Sequence, residues 1–208
     1  MRSDMHETVS DVADASHILS ESTRPGPRAH LPARAANAPP AGTALGSHYS
    51  YCYGCGEEHS SGLHMQVRLQ QGLTLTARFV VSVDHQGAPG LAHGGLLAAA
   101  CDEALGASNW LLMTPAVTAR LEVDFRRPVP VGSTLHFTAR IIGQDGRKVY
   151  CTGEGRLDAP DGPIATTAAG LFLQVTTEHF IDNGRPDDVH AAASAGRSKE
   201  RPWLEINP

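Results

Sequence analysis

The amino-acid sequence predicts an α+β domain in which an antiparallel β-sheet wraps around one long helix. Three observations lead there. Segments on both sides of the middle of the chain alternate apolar and polar residues with period two, as half-buried strands do. The stretch from about Gly94 to about Leu111 is instead apolar nearly all round, with Leu96, Leu97, Ala100, Ala104, Leu105, Ala107 and Trp110 among its residues, the pattern of a helix buried on most sides. Two strands precede that helix and four follow it through hairpin turns, an order that favours antiparallel pairing with the helix against one face.

Residues 1–47 read as a flexible N-terminal extension. Val9 to Leu19 suggests a short helix, with Val9, Val12, Ser16 and Leu19 weakly on one side, and from Arg24 to Gly46 the composition shifts to Pro, Ala, Gly and Arg. So few large apolar groups do not offset the entropy of ordering the chain. The domain proper is expected over residues 48–177. Its first strand sets Leu63, Met65, Val67 and Leu69 against His64, Gln66 and Arg68; Gln70-Gln71-Gly72 turns the chain; Leu73, Leu75, Ala77, Phe79 and Val81 alternate in the second. A loop from Ser82 to Ala92 leads into the helix. Beyond Thr114-Pro115, Val117, Ala119, Leu121, Val123 and Phe125 face one way while Thr118, Arg120, Glu122 and Asp124 face the other. Leu135 to Ile141, Lys148 to Leu157 and Ile164 to Thr176 supply three more strands, separated by the turns Gln144-Asp145-Gly146-Arg147 and Pro160-Asp161-Gly162-Pro163. Residues 178–208 have no period and read as an irregular tail, with Trp203 and Leu204 able to tack its end back.

Composition narrows the function. The chain has 208 residues, enough for one domain with tails, and a formal net charge of −5. Its 17 basic residues are scattered, which argues against a nucleic-acid binder. No apolar run reaches membrane-spanning length, and Asp4, Glu7, Asp11 and Asp14 stand where a secretory signal would be apolar. The expected compartment is the reducing cytoplasm, with Cys101 and Cys151 as small core residues. Cys52-Tyr53-Gly54-Cys55, with His59 nearby, raises the question of zinc. Such sites usually take four ligands from two Cys or His pairs, and no second pair exists. A redox pair would open a helix in a βαβ setting, whereas glycines surround this one. The motif reads as a structural turn, with no metal expected.

Chemistry concentrates between Gly90 and Gly106. A glycine pair, Gly94-Gly95, at the helix start leaves backbone N–H groups pointing outward with the positive end of the helix dipole behind them. Asp102 then interrupts an otherwise apolar helix, where an unpaired charge is costly. Outward amides and a buried carboxylate are the parts of an acyl-transfer site, an oxyanion hole with a base or nucleophile. Gly94 and Asp102 are eight residues apart, about 12 Å along a helix at roughly 1.5 Å per residue. One carbonyl does not touch both, so a site using both must be composite between two subunits.

At this level the sequence resembles the hotdog-fold thioesterases, most of all the acyl-CoA thioesterases of the phenylacetyl-CoA type, over roughly Cys52 to Gln174. The likeness is carried by His85-Gln86-Gly87-Ala88-Pro89-Gly90, by the turn His93-Gly94-Gly95 and by Asp102-Glu103-Ala104-Leu105-Gly106, with Cys52-x-x-Cys55-Gly56, Gly62-Leu63 and Arg126-Arg127-Pro128 fitting the same branch. The resemblance implies that amides near Gly94 and Gly95 hold the thioester carbonyl, that His93 shapes their turn, that Asp102 of the partner subunit is general base or nucleophile, and that Thr118 orients water. It places Gln86 and Gly87 beside the substrate, where some relatives have an Asn. Arg126 and Arg127 are candidates for the phosphates of coenzyme A, as are Arg147 and Lys148, and Leu96, Leu97 and Trp110 for the wall of an acyl tunnel. The expected substrate is an acyl-CoA or acyl-carrier thioester, the expected assembly a homodimer or a dimer of dimers, and no cofactor is expected beyond coenzyme A as part of the substrate. No Gly-x-Ser-x-Gly elbow and no phosphate-binding glycine loop is present. The main alternative is a non-catalytic acyl-thioester binding module on the same fold. A lyase and a metal-dependent protein using Cys52, Cys55 and His59 are further readings, since one scaffold carries several chemistries.

Overall fold

The computed structural model describes residues 18–190. Strands β1 (Ala44–Leu45), β2 (Gln66–Leu69) and β3 (Thr74–Val80) precede a small hairpin of β4 (Gln86–Ala88) and β5 (Leu91–Ala92). Helix α1 (Gly94–Gly106) follows and ends in a 3-10 turn, Ala107–Leu111. Strands β6 (Ala116–Phe125), β7 (Thr134–Asp145), β8 (Lys148–Leu157) and β9 (Ile164–Gln174) complete the sheet, and α2 (Thr177–Asn183) follows. The long strands fall where the period-two pattern puts them. The expected first strand is shorter, because Leu63 and Met65 are held by Tyr53 and Gly54 carbonyls before pairing with β3 begins.

The seven main strands form one antiparallel sheet in the order β1-β2-β3-β7-β8-β9-β6. The strands after the helix therefore do not all pair in sequence. β6 crosses to the far edge and pairs with β9, leaving its other side at the sheet margin. Its expected alternation also breaks: the register shifts between Thr118 and Arg120, and Ala119 is exposed. A bulge of this kind re-aims the side chains beside it.

Helix α1 buries Leu97, Ala100, Cys101, Ala104 and Leu105 against the sheet's inner face. Small residues opposite let it settle closely. A Cβ on Gly153 of β8 or on Gly170 of β9 would lie 2.9 or 3.2 Å from the Leu105 methyls. Leu105 is fully buried, and such a side chain contributes about 1.5–3 kcal/mol by leaving water.

The described part of the N-terminal extension corrects the reading of residues 1–47 as a loose arm. Residues 18–30 lie on the sheet's outer face, residues 34–42 bond to Leu111, Leu69 and Gln70, and β1 joins the sheet edge ahead of residue 48. Ile18 packs on Ala169, Pro25 covers Gly143, and His30 and Gln144 exchange backbone hydrogen bonds of 3.0 and 2.8 Å. Glu122 of β6 accepts from the Ser20 and Thr23 hydroxyls at 2.5 and 2.6 Å. This strap works through a few well-placed contacts rather than a periodic apolar face, so periodicity did not reveal it. Helix α2 likewise occupies the start of the segment read as an irregular tail. Most of the helix expected from Val9, and the Trp203-Leu204 tack, lie outside the described residues. Among the described residues no helix is long and apolar enough to cross a membrane.

Candidate active site

The approach to α1 is built to hold its first turn open. Gln86 and Gly87 form β4, and the Gln86 side-chain oxygen accepts from the Gly90 N–H at 2.9 Å, closing the turn. A Cβ on Gly87 would come within 2.7 Å of the His93 backbone and side chain, so only glycine lets the two segments touch. His93 is the N-cap, with φ −71° and ψ 134°, and its Nδ1 accepts from the Gly95 N–H at 2.9 Å. That satisfies one of the four amides a helix start leaves unpaired. The expected amide pair is thus divided: the Gly95 N–H is committed to the cap, while the Gly94 N–H has no partner among the described residues. His93, Gly94 and Gly95 are all exposed, and the Phe125 ring stands 3.8 Å from where a Gly94 Cβ would be.

Two turns further along α1, Asp102 faces β6. The Thr118 hydroxyl donates to Asp102 Oδ1 at 2.7 Å, a charge-assisted bond across sixteen residues of chain. Burial raises the Asp102 carboxyl above the usual range, with the Thr118 bond pulling it down. Both residues border a cavity of about 250 Å³ whose apolar side is Met65, Val67, Trp110 and Phe172. Of the expected tunnel residues, Trp110 lies there, whereas Leu97 is in the core and neither it nor Leu96 borders the cavity.

The amide and the acid stand at opposite ends of β6, Gly94 by Phe125 and Asp102 by Thr118. Arg126 and Arg127 share the Gly94 end and are exposed; Arg126 lies 3.8 Å from Asp124, and Arg127 donates to the Ile164 carbonyl at 3.2 Å. Arg147 and Lys148 fall at the other end, where Arg147 reaches the Gln174 carbonyl.

The cavity wall also contains a cluster that sequence spacing did not show. Cys52 and Cys55 meet His48 from upstream and Glu103 from α1. His59 is elsewhere, edge-on to the Tyr53 ring with centroids 5.0 Å apart. The neighbouring Cys55 sulfur holds the Cys52 thiol below the usual range, and the same contact pushes Cys55 above it. Burial lifts the Glu103 carboxyl to about 7, and the Cys52 sulfur adds to the rise. All four cysteines are free thiols.

Residues 89–161 match the family described as the Thioesterase superfamily. Acyl-coenzyme A thioesterase THEM4 of Xenopus laevis is 32% identical over 90 residues, covering 43% of this chain and 40% of that protein. Acyl-coenzyme A thioesterase THEM4 of Bos taurus is 33% identical over 93 residues, covering 45% and 38%. The chain thus spans about two fifths of the length of these curated relatives. Among solved structures, a thioesterase superfamily protein superposes with a TM-score of 0.54 at 28% identity, covering 59% of this chain and 62% of that one. The E. coli PaaI protein from the phenylacetic acid degradation operon gives 0.50 at 19% identity, covering 58% and 88%, a likeness of fold. With one long helix held against an antiparallel sheet, this chain has the hotdog fold, and its residues 89–161 are similar to the thioesterase superfamily.

Proposed function

We propose that this protein hydrolyses an acyl thioester, acyl-CoA foremost, to the free acid and the thiol. The observation that carries the reading is the Asp102–Thr118 pair, a half-buried carboxylate held by a hydroxyl at 2.7 Å on the wall of a half-apolar cavity. The acyl group would lie against Met65, Val67, Trp110 and Phe172. The thioester oxygen would accept from the Gly94 N–H, with the helix dipole behind it, as negative charge develops there. Asp102 would take a proton from water as the water oxygen bonds to the carbonyl carbon; the C–S bond then breaks and the proton passes to the departing thiolate. Direct attack by Asp102, through an acyl-carboxylate that water opens, uses the same geometry. His93 and Gly95 shape the turn, and Gln86 and Gly87 support it from behind. Arg126 and Arg127, at the amide end, suit the phosphates of coenzyme A. The chemical step draws on no cofactor.

The distance between amide and acid supports a homodimer. β6 is an edge strand, and an unpaired edge invites a second strand. Two copies of β6 paired antiparallel about a twofold axis between Leu121 and Glu122 would set Phe125 of one opposite Thr118 of the other. Gly94 of one subunit would then face Asp102 of its partner, completing two equivalent sites. Pairing of dimers into a tetramer is a further step of the same kind. The free thiols suit a reducing cytoplasm.

The test is thiol release from a panel of acyl-CoA and acyl-carrier thioesters by the wild type and by Asp102→Ala, with folding checked by circular dichroism. Turnover that falls about 10²–10⁴-fold in a folded variant supports hydrolysis through Asp102. Saturable binding without turnover across the panel would instead make this a thioester-binding module.

A further inference from the structure

We propose that His48, Cys52, Cys55 and Glu103 form a structural zinc site that fastens the loop before β2 to helix α1. The four groups each offer one donor atom, and these atoms all lie within 4.8 Å of one another. Tetrahedral zinc, with bonds of about 2.3 Å to sulfur and 2.0–2.2 Å to nitrogen or oxygen, places unlike donors about 3.5 Å apart. Here Cys55 Sγ is 3.0 Å from His48 Nδ1, and Cys52 Sγ is 3.7 Å from Glu103 Oε2. These two pairs straddle the ideal edge, and the remaining donor pairs lie within 4.8 Å, close enough for one ion to draw the four together. Two sulfurs, an imidazole and a carboxylate make a borderline-soft set that suits zinc over magnesium or calcium, which take oxygen ligands. All four corners come from protein, which leaves no position for water or substrate; closed sites of this kind are structural.

The surrounding chain is shaped for these four groups. Gly54 lies between the cysteines, and a Cβ there would be 2.2 Å from Glu103 Oε2, so the glycine is the space that Glu103 occupies. Gly56 donates to the Cys52 carbonyl at 2.8 Å, and a Cβ on it would strike the Ser50 and Cys52 backbone at 2.4 and 2.5 Å. Cys52 to Gly56 thereby folds into a tight knuckle that aims both sulfurs at α1. Ser47 Oγ stands 3.9 Å from Cys55 Sγ. Glu103 follows Asp102 in α1, so an ion here would lock the rotation of the helix that presents Asp102. The site is independent of the thioesterase reading, because its evidence is a ligand set and its readout is metal.

The full-length chain, purified under reducing conditions from zinc-supplemented cells, is expected to hold about one zinc per chain by plasma mass spectrometry, with the metal lost in Cys55→Ser and His48→Ala. Cobalt(II) exchanged into the wild type is expected to give the visible absorption of a tetrahedral thiolate centre. Where the variants do not fold, the wild type alone decides. Iodoacetamide is expected to modify Cys52 and Cys55 only after zinc is removed with a chelator. Modification of both thiols at the same rate with and without zinc would overturn the proposal. So would protein carrying iron, or a Cys52–Cys55 disulfide that takes up no zinc once reduced.

Discussion

Replacing Gly94 with proline removes one hydrogen-bond donor and little else. Gly94 is the first helical residue, the position where proline is best tolerated, because the amide it lacks is unpaired there anyway. Proline also requires an extended residue before it, and His93 at φ −71° and ψ 134° already is one. The nearest atom to a Cβ at Gly94 is Phe125 Cζ at 3.8 Å, an ordinary contact. The fold should therefore be kept, with stability unchanged or raised by about 0.4–1 kcal/mol through the lost freedom of the unfolded chain. If the Gly94 N–H holds the thioester oxygen, kcat should fall about 10²–10³-fold, the loss of one oxyanion donor worth about 2.7–4 kcal/mol. The same variant tests the composite site. Gly94→Pro and Asp102→Ala chains are co-expressed with different tags, and the heterodimer is isolated by tandem affinity. If each site draws its amide from one subunit and its acid from the other, one site of the heterodimer carries both lesions and the other none. Activity should return to about half the wild-type value, although each parent homodimer is nearly dead. A heterodimer as inactive as its parents would refute sharing across subunits. Full activity in folded Gly94→Pro would remove the amide from the mechanism.

The remaining predictions concern the groups around that chemistry. His93→Ala should cost about 0.5–2 kcal/mol in urea unfolding through the lost N-cap, with His93→Asn recovering most of it; unchanged stability in the alanine variant would show that the Nδ1 contact at Gly95 carries no weight. Thr118→Val removes a hydrogen bond to a carboxylate worth about 1.5–3 kcal/mol, so kcat should fall about 10–150-fold while Thr118→Ser stays near wild type, and equal rates in all three proteins would exclude Thr118 from positioning Asp102. Burial pushes the Glu122 carboxyl up, but the bonds from Ser20 and Thr23 and the nearby Arg120 guanidinium outweigh it and hold the group below the usual range. Its contribution is therefore present above the unfolded value of about 4.3 and is lost as pH falls through the lower folded value. Glu122→Gln should flatten the acid limb of the stability profile, measured by urea unfolding from neutral pH downward; an unchanged limb would show that the strap is not held by charge.

The sequence was most legible where structure is local and periodic. The apolar run of α1, the strands with period two and the His93-Gly94-Gly95 turn each depend on neighbours within a few residues, and each lies close to where the pattern puts it. What periodicity did not carry is contact set by topology. β6 reads like the other strands, yet it lies at the far edge, beside β9 rather than beside the next strand in the chain. The strap over residues 18–43 has no apolar period because it binds by single contacts, Ile18 on Ala169 and two hydroxyls on Glu122. The cysteine pair shows the same limit most sharply. Spacing rules search for a second pair along the chain, whereas the two further donors here are an imidazole four residues upstream and a carboxylate forty-eight residues downstream. The one local trace was Gly54 itself, a missing side chain between two cysteines.

These long-range contacts converge on one helix, which explains why an alanine-rich α1 tolerates two adjacent acids. A helix packed closely on a sheet has few places for charge, and each acid has its own partner from a different element. Asp102 meets Thr118, aimed by the bulge in β6, while Glu103, about 100° further round the helix, meets the knuckle at Cys52. Exchanging the two acids would leave composition and charge unchanged but break both contacts, since an aspartate at 103 is a methylene too short for the cluster and a glutamate at 102 is a methylene too long for the Thr118 bond. The neighbouring acids are therefore not a redundant pair from which either could serve. Asp102 is fixed as the acid toward β6 by the same geometry that turns Glu103 toward the sulfurs.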